Sequence, residues 1–397
     1  MKKQCCALFL SVFLSFLVVQ QALAADIKVM TQNQYIGAAL ERFLAASDPA
    51  SFNTALVATL QIAAATKAPE RMQALAGEIT KEQPALVGLQ EVVQLQCVDG
   101  VQMPGVGCND PSIAGAFSDH LQLTLDDLQG AYGMAAKVVN FNIQGIPFVI
   151  NGVPAQLSVV DRDVILARDG ISATAVNFQN LGACSKPSAD GCNYTAALQV
   201  TTLFGPLNIE RGFVAIDTTI AGKNYRVVTT HPEIQHPDPT NPASQFFQAA
   251  QAAELIQILL NTTPLDRSVV VIGDINSDPA EPDVPGPLPL PPPFNSGIVT
   301  PYHQFVEAGF TDIWQLRPGN PPGDTCCQAE DLTNRLSILD QRIDMIFALE
   351  LPAKVKDVRL VGNNASDKTP PPGVRLWPSD HAGLTGELQF QFLSAQR

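Results

Sequence analysis

The hydrophobic positions of this chain fall into short unbroken runs rather than long alternating stretches. Residues 27–33, 85–89, 225–230, 268–272 and 342–347 each form such a run. A strand with one wet face alternates apolar and polar residues, so runs this continuous predict strands buried on both faces beneath other layers. Four of them stop at residues with chemical potential: Asn33, Gln90-Glu91, His231 and Gly273-Asp274. Residues 52–80 form an Ala-rich helical stretch, and 245–260 have helical apolar spacing that would link the strand before His231 to the strand before Asp274. Residues 143–160 carry almost no charge and contain Asn151-Gly152, the signature of a hairpin turn. The pattern predicts an α/β fold with polar groups gathered at strand ends, where such folds place their sites.

Composition narrows this picture. With 46% hydrophobic and 16% charged residues, the chain is globular rather than a solvated disordered polymer. Residues 1–24 have the plan of a secretory signal peptide: Lys2 and Lys3, an apolar run over 7–19, then Ala22-Leu23-Ala24. That run is about 13 residues long, short of the roughly 20 needed to span a bilayer, which favours cleavage after Ala24 over a membrane anchor. A secreted or periplasmic location follows. Loss of Lys2 and Lys3 takes the formal net charge from −14 to −16. Six cysteines would remain in an oxidising compartment, and six allow 15 pairings. Their spacings suit loop staples Cys97–Cys108 and Cys184–Cys192, leaving Cys326 with Cys327; none is a usual zinc spacing. The proline-rich residues 279–294 cannot be regular helix or sheet. Motifs lie on both sides of them, so we read an inserted loop within one catalytic domain over 25–397, rather than a linker between two.

The candidate chemistry is modest residue by residue. Glu91 after an apolar strand suits a hard cation, or is a solvated loop acid. Asn33 could simply form a turn, and His231 a strand-end hydrogen bond. Gly273-Asp274-Ile275-Asn276 is stronger, because Gly permits an unusual turn that aims Asp274 and Asn276 together. Ser379-Asp380-His381 sets a metal-type carboxylate beside an acid-base imidazole. Arg342-Ile343-Asp344 places charges on an apolar strand, where a structural ion pair is the plain alternative.

Their order along the chain, Asn33, Gln90-Glu91, His231, Gly273-Asp274-x-Asn276, Arg342-x-Asp344 and Ser379-Asp380-His381, resembles the endonuclease/exonuclease/phosphatase superfamily. That superfamily includes deoxyribonucleases, abasic-site endonucleases, neutral sphingomyelinases and inositol-polyphosphate 5-phosphatases; Thr325-Cys326-Cys327-Gln328 and the proline loop are similar to features of its secreted bacterial members. The resemblance implies a four-layer α/β sandwich, two central mixed sheets flanked by helices. It also implies Mg2+ (or Mn2+ or Ca2+) and in-line attack of water on a phosphorus ester. By motif position Glu91 would be the main metal ligand, with Asn33 and Asp380 beside it. Asp274 would orient or deprotonate the water, Asn276 and His231 would hold phosphoryl oxygens, and Asp344 would orient His381. Arg211, in Arg211-Gly212-Phe213, is a looser match to a phosphate-binding Arg.

A protein that grips a long nucleic-acid backbone displays clustered Lys and Arg, and this chain has no basic run. That favours a phospholipid head group or another small phosphoester over nucleic acid as the partner. A secreted nuclease of the same fold is the alternative, and a catalytically silent binding module a third reading. The 143–160 hairpin and Trp377 could touch a membrane transiently, or could merely complete a sheet and pack on the site wall. No obligate protein partner is inferred.

Overall fold

The protein is described by a computed structural model covering residues 24–234, 245–319 and 321–391. The leader expected over 1–24 lies, apart from Ala24, outside the described residues. Two large mixed sheets stack face to face with helices on their outer sides, the sandwich that the resemblance implies. The first sheet contains β1 (Ala24–Asn33), β2 (Leu86–Gln90), β3 (Gln94–Asp99), the long hairpin β4 (Tyr132–Ile150) and β5 (Val153–Arg168), and two late strands. A separate two-stranded ribbon, β6 (Leu198–Thr202) and β7 (Gly205–Ile209), stands outside both sheets. The second sheet is centred on β8 (Gly212–Ile220), β9 (Lys223–Thr230), β10 (Arg267–Asp274) and β11 (Asp344–Ala348). The late strands, β12 (Lys354–Val361) and β13 (Gly383–Gln391), return to the first sheet beside β1.

Alternation within the apolar runs now has a meaning. Val29, Leu86, Ile165, Val227 and Val270 point between the sheets, while their neighbours Met30, Val87, Leu166, Val228 and Val271 face the outer helices. On the first sheet these helices are α3 (Ala68–Glu82) and α4 (His120–Leu128), and on the second α5 (Phe246–Thr262). Ahead of α3 come the short α1 (Glu41–Leu44) and α2 (Pro49–Ala65). β1 and β2 are parallel, as are β9 and β10, so Asn33, Glu91, His231 and Asp274 all leave the same edge of the sandwich. The antiparallel β11 and β13 begin there, which delivers Asp344 and His381 to the same edge.

Two sequence expectations need correction. The stretch 52–80 is two helices, because Pro69 lacks an N–H and cannot continue a helix; Lys67 takes a left-handed conformation (φ 49) at the break. The hairpin expected over 143–160 turns at Asn151-Gly152 but runs far longer, with β5 pairing three strands. Of the two readings of Trp377 the packed one holds, since it is 1% exposed and its Nε1–H donates to the Asn334 carbonyl at 2.8 Å. The proline-rich loop forms only a small ribbon, Val284–Pro285 with Gly297–Ile298, and sets Phe294 against Phe246 at the start of α5. Disulfides join Cys97 to Cys108, Cys184 to Cys192, and Cys326 to Cys327.

The break between α2 and α3 also places Arg71, a residue that carries no motif. Its guanidinium is fully buried and donates to the carbonyls of Thr66 (2.9 Å), Gln34 (2.8 Å), Tyr35 (3.1 Å) and Pro378 (3.1 Å). It therefore ties the end of β1 to the segment that precedes Ser379-Asp380-His381. Burial lowers its pKa to about 10, still charged at neutral pH, with Asp380 acting in the opposite direction. Arg71→Met would orphan four carbonyls and should cost about 3–5 kcal/mol, the scale of breaking a buried charged network. Thermal unfolding and turnover should both fall, and Arg71→Lys should restore little of either, since an ammonium cannot reproduce the fork.

Candidate active site

The polar groups at the shared edge form one network. Asn33 Nδ2 donates to Glu91 Oε1 and to Asp274 Oδ2, both at 3.1 Å, and so bridges the two sheets. Its Oδ1 accepts the Tyr35 N–H at 2.9 Å, while Glu91 Oε2 accepts the Ile36 N–H at 2.8 Å. Asp274 Oδ1 accepts the Asn276 N–H at 2.9 Å, a turn that needs Asn276 at positive φ (52°), which Asn tolerates. His231 Nε2 and His381 Nδ1 lie 3.5 and 3.7 Å from Asp274 Oδ2. His381 Nδ1 is nearer to Asp344 Oδ2, at 2.8 Å. Ser379 Oγ donates to the Asn33 carbonyl at 2.7 Å and accepts the His381 N–H at 3.1 Å, which positions Asp380 between them.

The structure thus gathers all nine sequence candidates. Arg211, at the start of β8, puts Nη1 3.3 Å from His231 Nδ1 and Nη2 3.5 Å from Glu233. Arg342 takes the plain alternative, a buried pair with Asp312 at 2.8 Å. The Asn276 side chain donates to the Pro232 carbonyl at 3.0 Å. Above the network opens a cavity of 630 Å3 whose floor holds Glu91, Asp161, Arg211, Glu233 and Asp380.

A sequence model of the endonuclease/exonuclease/phosphatase family matches residues 50–381. The chain belongs to this family. Its members are metal-dependent phosphoester hydrolases, and so is this chain. A search of curated proteins finds no match. Among solved structures, a family protein from Leptotrichia buccalis is 16% identical with a TM-score of 0.46, over 92% of this chain and 100% of that one. One from Bacteroides thetaiotaomicron is 13% identical with a TM-score of 0.49, over 93% and 99%. The human Nocturnin catalytic domain with bound sulfate is 17% identical with a TM-score of 0.45, over 92% and 93%.

The electrostatics of this family site follow from crowding. Burial first, and then the charge of Asp344, raise the Asp274 pKa to about 7 against the opposing effect of His381. Burial works against a charged His381, yet Asp344, Asp380 and Asp274 together hold its pKa well above the usual imidazole value. His231 is held neutral by burial, then by Arg211 and His381. Because Arg211 can only donate, neutral His231 must accept at Nδ1 and carry its proton on Nε2, aimed at Asp274. Glu91 and Asp380 are both raised by burial, and Glu91 also by Asp380. Two oxygen donors that resist joint ionisation on one cavity floor fit a divalent cation, which would relieve their repulsion. Asp274, Asp344 and His381 also cluster closely enough to chelate, but the Asp344–His381 hydrogen bond already occupies them.

Sequence reasoning missed Asp161, Asp163 and Glu233. Asp161 and Asp163 share a face of β5, Asp161 reaching the cavity floor and Asp163 fully buried behind it. Burial raises Asp161 to about 6 and Asp163 well above its ordinary range. The signal available was two acids inside the apolar run of β5. With Asp274 as base, kcat/KM should rise with pH through about 7 as its carboxylate ionises and fall at higher pH as His381 loses its proton. Asp274→Ala or His381→Ala should lower turnover at least about a hundredfold without unfolding the protein, as steady-state kinetics beside circular dichroism would show.

Proposed function

We propose that this chain is an exported, Mg2+-dependent phosphodiesterase acting on a phospholipid head group or a comparably small phosphoester. The observation that carries the reaction is the placement of Asp274, hydrogen-bonded to Asn33 and flanked by His231 and His381. In this reading Glu91 and Asp380, with Asn33 beside them, hold the ion, which when bound neutralises phosphoryl charge and polarises the ester. Asp274 orients the attacking water and takes its proton. The Arg211 guanidinium meets the non-bridging oxygens, and the Nε2–H of His231 joins it only if the ring turns from Asp274. His381, kept protonated and oriented by Asp344, donates toward the oxygen that accumulates charge. Asn276 serves the same oxygens only if its amide leaves the Pro232 carbonyl; otherwise it fixes the turn under Asp274.

The substrate class rests on charge and shape. The cavity is lined by five carboxylates, Glu91, Asp161, Glu233, Glu330 and Asp380, against one cation, Arg211, and its remaining wall is largely apolar. A polyanionic backbone gains little there. Export rests on the leader pattern at 1–24 and accords with three disulfides.

The test incubates purified protein with Mg2+ or EDTA on sphingomyelin vesicles, plasmid DNA and a chromogenic phosphodiester, each beside Asp274→Ala. Lipid or chromogenic hydrolysis that EDTA abolishes and Mg2+ restores is expected, with DNA cut at least about tenfold more slowly and with steep salt dependence. Preferential DNA cleavage would replace this reading with a nuclease, and Asp274→Ala at full activity would remove the assigned base.

A further inference from the structure

The cavity above the carboxylates is far more apolar than hydrolysis of a phosphate ester requires. On one side stand Phe141, Ile143 and Ile146 of β4; opposite stand Leu198 and Val200 of β6 with Leu207 and Ile209 of β7. The ribbon alternates strictly. Leu198, Val200, Leu207 and Ile209 line the cavity, whereas Gln199, Thr201 and Asn208 are exposed on the other face. A two-stranded ribbon is marginal alone and normally buries its apolar face against a core. Here that face is only half-buried, as is the row of β4 that lines the same cavity. Phe204, at the ribbon's turn, is 61% exposed, and with Phe52 it also borders a second apolar hollow walled by Val98 and Val149. The polar groups are confined largely to the floor, beside the reacting centre.

We propose that this cavity is a subsite for a single hydrocarbon chain, so that the substrate is an amphiphilic phosphoester whose phosphoryl group rests on the Glu91–Asp380–Arg211 floor while its chain lies between β4 and the ribbon. The inference rests on the phosphoester-hydrolase reading of the floor and adds the substituent that phosphorus carries. At 630 Å3 the space lies within the range of small-molecule pockets. A nucleobase would find few hydrogen-bonding partners between the two apolar rows, whereas a chain needs none.

The experiment measures kcat/KM for 4-nitrophenyl alkyl phosphates from ethyl to dodecyl, each below its micellar concentration. In the wild type the value should climb by up to about fourfold per added methylene and then level off when the cavity is full. Val200→Asp should flatten the series while leaving the ethyl ester within about twofold, and Val200→Trp should bring the plateau to shorter chains. A wild-type series that is flat although the ethyl ester is hydrolysed overturns the chain subsite and leaves the hydrolase intact. A thymidine 5′-(4-nitrophenyl) phosphate that outperforms the dodecyl ester also overturns it, in favour of a nucleobase. If no ester turns over, the hydrolase reading fails instead, and calorimetry with dodecylphosphonate and methylphosphonate decides the cavity. Tighter dodecyl binding that Val200→Asp abolishes sustains the subsite; equal binding removes it.

Discussion

Everything at the working edge depends on how closely the two sheets approach there. Gly88 of β2 marks a close approach: a Cβ at that position would lie 2.6 Å from Thr229 Oγ1 and 2.9 Å from Ile272 of the facing sheet. With no side chain in the way, Gln90 Nε2 reaches Thr229 Oγ1 at 2.7 Å and Asn33 Nδ2 reaches Asp274 at 3.1 Å. These cross-sheet bonds fix the acid of one sheet against the acid of the other. A larger residue at 88 would pry apart a contact that side-chain rotation alone could not restore, since both neighbours belong to packed strands.

That closeness forces the electrostatics. Glu91, Asp161, Asp274, Asp344 and Asp380 share one partly dry site, with Asp163 buried behind it, and such a concentration of like charge is costly unless protons or cations share it. The chain supplies part of the compensation itself: Arg71 under Asp380, Arg211 beside Glu233 and His231, and a charged His381 against Asp344. The remaining deficit lies on the side of the cavity, at Glu91 and Asp380, so the fold leaves its unmet demand for positive charge where a cation and a phosphoryl group would meet. The raised pKa of Asp274 and the uncompensated pair Glu91 and Asp380 are two results of one crowding.

The edge was legible in the sequence because its strands are covered on both faces. Doubly buried strands write themselves as unbroken apolar runs, and the first polar residue after each run is forced to the rim, which is why Asn33, Glu91, His231 and Asp274 could be named. Strand ends were less legible: the run read over 225–230 begins at Lys223 in the structure, because Lys223 reaches Glu350 and the Gln391 carbonyl while its stem remains buried. Arg71 could not be found this way. A lone Arg on a helix reads as a solvated side chain, and its carbonyl partners at Gln34 and Pro378 are contributed by segments remote in sequence. The β6–β7 ribbon did carry a period-of-two pattern, but strands of five residues each leave that signal short, and nothing in it says that the apolar face borders a cavity rather than a core.

This difference in legibility follows a difference in what holds each part. Asn33, Glu91, Asp274, Asp344, Ser379 and His381 sit at or beside strand ends, and each is tied by a hydrogen bond of 3.1 Å or less to another element, so their geometry follows from packing that the whole fold enforces. The cavity walls are held differently: the hairpin half packs on α2 through Phe148, Leu157 and Val159, whereas the ribbon stands outside both sheets. A change in the ribbon therefore costs little stability, whereas a change at the strand ends disturbs both sheets. On the reading proposed above, reaction type and substrate choice are thereby separated: the sandwich carries the groups that attack a phosphorus ester, and the ribbon with the hairpin selects what that phosphorus carries.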